Sequence, residues 1–202
     1  MARMTADERR AELIEAAFRV MSKDGVTAGT VRAICAEAGM ALATFHYCFR
    51  SRDELLRELM VMLAMKERVA AETAMEPGSD ITDALRQAAF GYLHHLEQDP
   101  GHELVLFELV HHALRTPGLR DLADEQYRRY DETATNILTA AAEIADVTWT
   151  VELPVLARLV VTMIDGLTTT WLVDHDSAKA GQVIEAFVGY LSTAAISNTE
   201  TA

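Results

Sequence analysis

The sequence has few of the features that mark secreted or membrane proteins. Only two cysteines, Cys35 and Cys48, occur among its 202 residues, so a disulfide framework is not expected to hold the fold together. Apolar residues are interrupted before any run reaches the length of a membrane span, and residues 1–10 lack the apolar core of a signal peptide. We therefore expect a cytoplasmic protein that does not enter a membrane.

Strand signals are almost as scarce as cysteine. No stretch alternates apolar and polar residues between Asn-Gly or Asp-Gly turns, whereas alanine, leucine, glutamate and arginine are abundant. Half of the residues are apolar, which is enough to build a core. The sequence predicts an all-α protein, and its breaks place helices at about 5–24, 30–38, 41–47, 51–75, 81–98, 103–115, 119–144, 154–173 and 178–196.

Capping residues mark the starts of two of these helices. Thr5 and Glu8 have capping-box spacing, in which the side chain of each residue accepts a hydrogen bond from the backbone N–H of the other. Ser51 is predicted to cap the long helix, and the two acidic residues that follow, Asp53 and Glu54, favour its positive N-terminal end.

Acidic charge is concentrated in the second part of the chain. The whole sequence has 18 basic and 31 acidic residues and a net charge of −13, but residues 1–68 carry 11 basic and 10 acidic residues. The N-terminal part is therefore nearly neutral and is free to approach phosphate groups, which the acidic remainder repels.

Two short predicted helices joined at a glycine follow the N-terminal helix. This arrangement is typical of a helix-turn-helix, whose second helix enters the DNA major groove. The sequence is TVRAICAEAGM over residues 30–40 and ATFHYCFRSRDEL over residues 43–55. The pattern resembles the signature of the TetR family of transcriptional regulators, and the resemblance extends over about residues 10–60.

The resemblance implies both a fold and a function. It implies a three-helix DNA-binding head over residues 1–52, a linking helix over about 51–75, and a helical effector-binding and dimerisation domain over 53–202. It also implies a homodimeric repressor that a small-molecule effector releases from a palindromic operator in double-stranded DNA. No cofactor, metal or enzymatic activity is expected.

In the family register, Phe45 and Phe49 face the core of the head, and the exposed side of the second short helix faces DNA. Hydroxyl groups such as those of Thr44 and Tyr47 can contact phosphate, and the N–H groups at the start of the long helix favour anions. The predicted DNA-binding residues are Thr30, Arg32, Ala41, Leu42, Ala43, Thr44, His46, Tyr47, Arg50, Ser51 and Arg52.

Several positions depart from the family pattern. Ala43 stands where glycine is usual, His46 where tyrosine is usual, and Cys48 where histidine or tyrosine is usual, so a phosphate contact at Cys48 is in doubt. Leu42 occupies the place of a polar base reader, and it either touches a thymine methyl group or packs on its own helix. Cys35, His46 and Cys48 match no structural zinc spacing.

The C-terminal part offers a mixed set of candidate effector contacts. Methionine and aromatic side chains adapt to irregular ligands, and a cross-helix pair such as His94 with His111 leaves metal binding open as an alternative. The predicted ligand-binding residues are Met62, Met65, Phe90, His94, Phe107, His111, Tyr127, Tyr130, Thr169 and Trp171.

The last two predicted helices carry broad apolar stripes, and the resemblance implies that these helices pair with their copies in a dimer. Intramolecular core packing accounts for some of the same residues. The predicted interface residues are Leu156, Val160, Met163, Ile164, Leu167, Ile184, Phe187, Val188 and Leu191.

Two other classes of function compete with this interpretation. An enzyme is disfavoured because no glycine-rich phosphate loop, Gly-x-Ser-x-Gly motif or His-Glu-x-x-His motif occurs. A helical ligand-binding or scaffold protein without DNA activity is the remaining alternative.

Overall fold

The computed structural model describes residues 4–72 and 76–198, and these residues are largely helical. The elements in chain order are α1 Ala6–Asp24, a 3-10 turn Val26–Ala28, α2 Val31–Glu37, α3 Leu42–Cys48, α4 Arg52–Glu72, α5 Ile81–Gln98, α6 Pro100–Arg115, α7 Arg120–Ala145, β1 Val147–Trp149, α8 Leu153–Asp174, α9 Ser177–Ser192 and β2 Ala195–Ser197. The predicted fold class, an N-terminal helix-turn-helix followed by a helical C-terminal region, is confirmed.

The capping interactions form where the sequence predicts them. The Thr5 hydroxyl accepts the Glu8 N–H at 3.2 Å, and the Glu8 carboxylate accepts the Thr5 N–H at 2.7 Å. These hydrogen bonds lower the pKa of Glu8. The Ser51 hydroxyl accepts the Glu54 N–H at 3.1 Å and so caps α4. The predicted end of this long helix near residue 75 lies outside the described residues.

Two helix boundaries and one small sheet differ from expectation. Helix α6 begins at Pro100 rather than near residue 103, because proline tolerates the first turn, where its missing N–H has no helical acceptor. Helix α9 ends at Ser192 rather than near residue 196. The residues beyond it form β2, which pairs antiparallel with β1 and places Val147 opposite Ser197. The described chain is therefore helical except for one two-stranded ribbon.

The chain divides into two compact units. The first comprises Met1–Ala64 and Gly101–Gln126, and the second comprises Met65–Pro100 and Tyr127–Ala202. The predicted domain boundary at residues 52 and 53 stays a prediction. The largest buried side chains of the first unit include Leu13, Met21, Ile34, Phe45, Phe49, Leu55, Leu56 and Leu59.

The core of the second unit is built by one face from each of its long helices. It includes Leu85, Tyr92, Leu93, Leu96, Leu138, Leu156, Leu167, Trp171, Ile184, Val188 and Leu191. Helix α5 lies close to α9, where the Phe90 ring approaches within 3.5 Å of the position that a Cβ on Gly181 would occupy. The Arg86 guanidinium also pairs with Glu185 across these two helices at 2.9 Å.

Among the described helices, α8 is long and apolar enough to cross a membrane by length and composition alone. Two of its charged residues contact α7: Arg158 pairs with Asp131, and Asp165 accepts a hydrogen bond from Tyr127. Its buried residues Leu156 and Trp171 belong to the core of the second unit. These contacts are those of a core helix in a helical domain.

Candidate functional site

Helix α3 has one buried face and one exposed face. Phe45 and Phe49, four residues apart, are buried with ring centroids 5.5 Å apart. The exposed side carries Leu42, with 44% of its surface accessible, and Tyr47, with 73% accessible. The other predicted contacts on this helix are also exposed except Thr44, which is half-buried; they are Ala41, Ala43 and His46. The structure therefore brings these residues together on the side predicted to face DNA.

Helix α3 contains no lysine, arginine, aspartate or glutamate. Its donors and acceptors are the Thr44 and Tyr47 hydroxyls and the His46 ring. Leu42 and the neighbouring alanines present methyl groups. Such a surface suits apolar contact with thymine methyl groups better than paired hydrogen bonds to guanine.

Helix α2 places the next two predicted contacts. Thr30 is its N-cap, and the Thr30 hydroxyl accepts the Ala33 N–H at 3.2 Å. Arg32 is exposed in the first turn of the helix. Thr30 thus has an established structural role, whereas Arg32 presents its cation to solvent next to the N-terminal end of α2.

Arg10 joins three segments of the head. Its guanidinium donates to Glu54 at 2.8 Å and to Glu58 at 2.9 Å, both on α4, and these bonds raise the pKa of Arg10. It also donates to the Cys48 carbonyl at the end of α3 and lies 4.2 Å from the centre of the Phe49 ring. The C-terminal end of α3 is therefore held to α1 and α4 by one side chain.

A second set of polar contacts holds the turn between α1 and α2, which we name the 25–29 turn. Arg52, the first residue of α4, donates to the Gly29 carbonyl at 2.6 Å and to the Val26 carbonyl at 2.7 Å. Burial lowers the pKa of this half-buried guanidinium. From α6, the Glu108 carboxylate accepts the Val26 N–H at 2.7 Å.

The three residues predicted at the start of α4 consequently differ in their surroundings. Arg50 and Ser51 are exposed. Arg52 donates from Nε and Nη2 to two backbone carbonyls, so its guanidinium positions the 25–29 turn, and a phosphate contact at Arg52 stays a prediction. Phosphate contacts at Arg50 and Ser51 stay predictions.

The predicted ligand-binding residues lie in both units. In the first unit, Met62 and Phe107 are half-buried, and the exposed His111 ring bonds through Nδ1 to the Phe107 carbonyl at 2.7 Å. In the second unit, Met65, His94 and Thr169 are exposed, and 36% of the Phe90 surface is accessible. Trp171 is buried and donates from its indole to the Ser177 hydroxyl at 3.0 Å.

Tyr127 and Tyr130 belong to a half-buried polar group on α7 and α8. Their rings meet edge to face at 5.6 Å. The Tyr127 hydroxyl donates to Asp165 at 2.9 Å. Burial is the main cause that raises the pKa of Asp165, and burial followed by the bond to Asp165 raises the pKa of Tyr127 to about 12. Arg158 is the cation already near this group: its guanidinium lies 6.0 Å from the Tyr127 ring centre, and its charge opposes the rise in the pKa of Asp165.

The structure corrects more than half of the predicted dimer interface. Five of the nine residues are already buried inside a single chain, so they form its core and have almost no surface left for a partner; they are Leu156, Leu167, Ile184, Val188 and Leu191. The other four are half-buried and pack against the same core; they are Val160, Met163, Ile164 and Phe187.

Some polar residues with clear roles were not predicted. Glu108 and Asp165 were not predicted as functional residues, because nothing in the sequence indicates the backbone or hydroxyl group that each one meets. His102, Glu103 and Gln126 are buried on α6 and α7 in the first unit, and the His102 ring lies 6.3 Å from that of Phe18. For His102 and Glu103, the signal available in the sequence was an imidazole and a carboxylate next to the apolar stripe of a predicted helix.

Two family models match this chain in consecutive regions. One, described as bacterial regulatory proteins of the tetR family, matches residues 13–59, and the other, described as the C-terminal part of BetI-type transcriptional repressors, matches residues 81–195. The chain belongs to the TetR family of transcriptional regulators. Members of this family bind operator DNA and small-molecule effectors and act as dimers, and they are regulators rather than enzymes.

Individual relatives agree with this membership. This TetR-family chain is 27% identical over 177 residues to the HTH-type nicotine-responsive transcriptional repressor HdnoR of Paenarthrobacter nicotinovorans, covering 88% of this chain and 90% of HdnoR. A TetR-family regulator from Rhodococcus sp. has a similar structure, with a TM-score of 0.78, 18% identity, and coverage of 92% of this chain and 98% of that one. The multidrug binding protein EbrR, solved with imidazole, gives a TM-score of 0.64 and 25% identity, covering 87% of this chain and 92% of EbrR.

Proposed function

We propose that this regulator is a cytoplasmic, homodimeric repressor that binds an inverted-repeat operator and leaves it when a small molecule binds. The observation that carries the DNA-binding part is the exposed face of α3. Leu42, His46 and Tyr47 share that face, while Phe45 and Phe49 anchor the opposite face in the head. The capped, exposed start of α4 at Ser51 offers a phosphate site beside it.

Selection from a library of random DNA duplexes tests this part, because it requires no operator sequence at the outset. We expect the purified protein to enrich an inverted repeat with half-sites one helical turn apart or a multiple of it, because a twofold dimer contacts two equivalent sites. Binding to the selected duplex should weaken steeply as salt rises. Enrichment of no sequence would favour the alternative of a helical ligand-binding protein without DNA activity.

The dimer interface is proposed for the exposed face of α8 and α9, not for their buried stripes. Val155 and Val173 on α8 are 50% and 81% exposed, and Tyr190 on α9 is 65% exposed. Gly166 and Gly189 lie on the same helices with open space where a Cβ would stand. An apolar face with small residues lets two helix pairs approach closely, so a second copy of this chain fits it.

Light scattering tests this interface. We expect the wild-type protein to be a dimer at micromolar concentration, and Gly166→Arg to dissociate it, because the substitution places a charged side chain in the centre of the face. Glu143→Arg, at an exposed position on α7, is the matched control and should remain dimeric. A dimeric Gly166→Arg protein would exclude this face.

The effector is proposed to carry a basic nitrogen that binds near Asp165. The half-buried carboxylate already interacts with one cation, Arg158, and the neighbouring rings of Tyr127 and Tyr130 also favour a cation. HdnoR is named for its response to nicotine and EbrR was solved with imidazole. Both of those compounds contain basic ring nitrogens, which supports the same class of ligand for this chain.

A thermal-shift experiment with nicotine, imidazole and the anionic ring compound benzoate tests the ligand class. We expect the basic compounds to raise the unfolding midpoint and to lower affinity for the selected operator, and benzoate to do neither. Asp165→Asn should reduce the shift, whereas Glu143→Gln should leave it unchanged. A shift of equal size with benzoate, or in Asp165→Asn, would contradict the assignment.

A further inference from the structure

We propose that Glu108 of α6 is a positioning residue for DNA recognition, and that through it α6 controls how the helix-turn-helix is presented. Three elements of the first unit take part in this control: the 25–29 turn, α4 and α6. This role rests on the proposed repressor function, because it concerns how the helix-turn-helix is presented to the operator.

The Val26 N–H begins the 3-10 turn and has no acceptor within its own helix. Gly25, at the N-cap position, has no side chain that could supply one. The Glu108 carboxylate does so at 2.7 Å, although it lies 82 residues away in sequence. The fit is close, because a Cβ on Gly25 would lie 3.4 Å from the same carboxylate, and Gly25 has a φ of +82° that favours glycine.

The 25–29 turn is therefore held from both sides. Its N–H group at Val26 is bound by α6, and its carbonyls at Val26 and Gly29 are bound by Arg52 of α4. The next residue, Thr30, caps α2, and α2 packs against the recognition helix α3. A shift of α6 along its axis would remove the acceptor from Val26 and loosen the segment from which α2 starts.

The geometry assigns a different task to each contact. Arg52 and Arg10 join the head to α4, the helix that follows α3 in the chain. Glu108 on α6 is bonded to the backbone of the 25–29 turn. A ligand that moves α6 would then act on the turn directly, without requiring that α4 move as a rigid rod.

Operator affinity of three variants tests the assignment, with the selected duplex as probe. Glu108→Ala should weaken binding about tenfold or more, because it leaves a backbone donor without its charged acceptor. Glu108→Gln should stay within about threefold, since the amide oxygen also accepts a hydrogen bond. Asp124→Ala removes an exposed carboxylate on α7 of the same unit and should change nothing.

Hydrogen exchange distinguishes positioning from mere stabilisation. By reciprocity of coupled sites, operator binding should slow exchange of α6 amides near Glu108 in the wild-type protein and in Glu108→Gln. In Glu108→Ala this protection of α6 should be lost while protection of α3 persists. Should Glu108→Ala unfold, the comparison of operator-bound and free wild-type protein still decides whether α6 responds.

Three results would overturn the proposal. They are unchanged operator affinity in Glu108→Ala, equal losses in Glu108→Ala and Glu108→Gln, and α6 amides indifferent to operator in the wild-type protein. If the wild-type protein selects no duplex at all, it is the repressor function that fails. Exchange of the Val26 amide in free protein then tests the contact itself, which Glu108→Ala should expose and Glu108→Gln should keep protected.

Discussion

The two units use their polar side chains in different ways. In the first, Arg10, Arg52 and Glu108 each bind a backbone group distant in sequence. In the second, side chains of different helices bind one another, as in Tyr127 with Asp165 at 2.9 Å and Tyr92 with Thr168 at 2.5 Å. Short helices and turns have too little apolar surface to fix their own position, whereas long helices are fixed by the core they share.

This difference predicts that polar substitutions cost more in the first unit than in the second. The largest effect is expected for Arg10→Ala, which removes the guanidinium donor of the Cys48 carbonyl and of the Glu58 carboxylate and leaves Glu54 with the Arg50 N–H as its donor. We expect a loss of about 3 kcal/mol in the free energy of unfolding, measured by urea titration. Arg9→Ala is the control, because Arg9 bonds only to nearby carbonyls at the chain start, and should cost less than about 0.5 kcal/mol.

A somewhat smaller loss is expected for Arg52→Ala. The substitution removes the donor for the Val26 and Gly29 carbonyls, at about 2 kcal/mol. The slope of operator affinity against salt should stay unchanged, since this guanidinium is directed inward. Arg50→Ala should do the opposite, with stability kept and the slope reduced by about one charge. A flattened slope in Arg52→Ala would instead place Arg52 on phosphate.

In the second unit the matching test is Tyr127→Phe. The change removes the hydroxyl that donates to Asp165 and keeps the ring that packs on Tyr130. We expect a loss of about 1 kcal/mol, because core packing of α7 and α8 remains. Tyr47→Phe removes an exposed hydroxyl and should leave stability in the absence of DNA unchanged. A loss in Tyr127→Phe as large as that in Arg10→Ala would contradict the expected difference between the two units.

The smallest effect is expected for Asp165→Asn, and it depends on pH. Burial raises the pKa of Asp165 above its ordinary value of 3.8, so the folded chain binds this proton more tightly than the unfolded chain. The stability from that proton is complete below 3.8 and is lost as the pH rises through the raised pKa. Asparagine keeps an acceptor for Tyr127 without a charge to bury.

Asp165→Asn should therefore be slightly more stable than the wild-type protein at pH 7. The gain should be less than about 1 kcal/mol, because water screens the half-exposed carboxylate. The advantage should shrink as the pH falls toward about 4, as followed by urea titration at each pH. A constant difference over that range would show that titration of Asp165 does not set it.

Local signals were sufficient to predict most of the helices. Glycine and proline breaks bounded α5 at Ile81 and Gln98 as found, and the side chains of Thr5 and Ser51 cap the helices they were expected to cap. These features depend on neighbours within four residues, which the sequence displays directly.

Features that depend on distant partners were not predictable. Arg52 stands at the expected helix start, but its direction is set by carbonyls more than twenty residues earlier in the chain. Apolar spacing on α8 identified a stripe but not whether the stripe meets its own core or a second copy. Leu156 and Leu167 proved to be core, while Val155 and Val173, which the pattern did not select, are the exposed ones.

The ribbon of β1 and β2 has a consequence for the helix pair α8 and α9. A two-residue connection, 175–176, leads from α8 to α9. At the opposite end β1 precedes α8 and β2 follows α9, so the pairing of Val147 with Ser197 closes the two helices into a ring. Trp149 fastens this ring by donating from its indole to the Leu138 carbonyl at 3.1 Å. In a closed ring neither helix can slide along the other or fray alone from its free end. The ribbon therefore fixes, within a single chain, how far the exposed side chains of α8 are offset along the helix axis from those of α9.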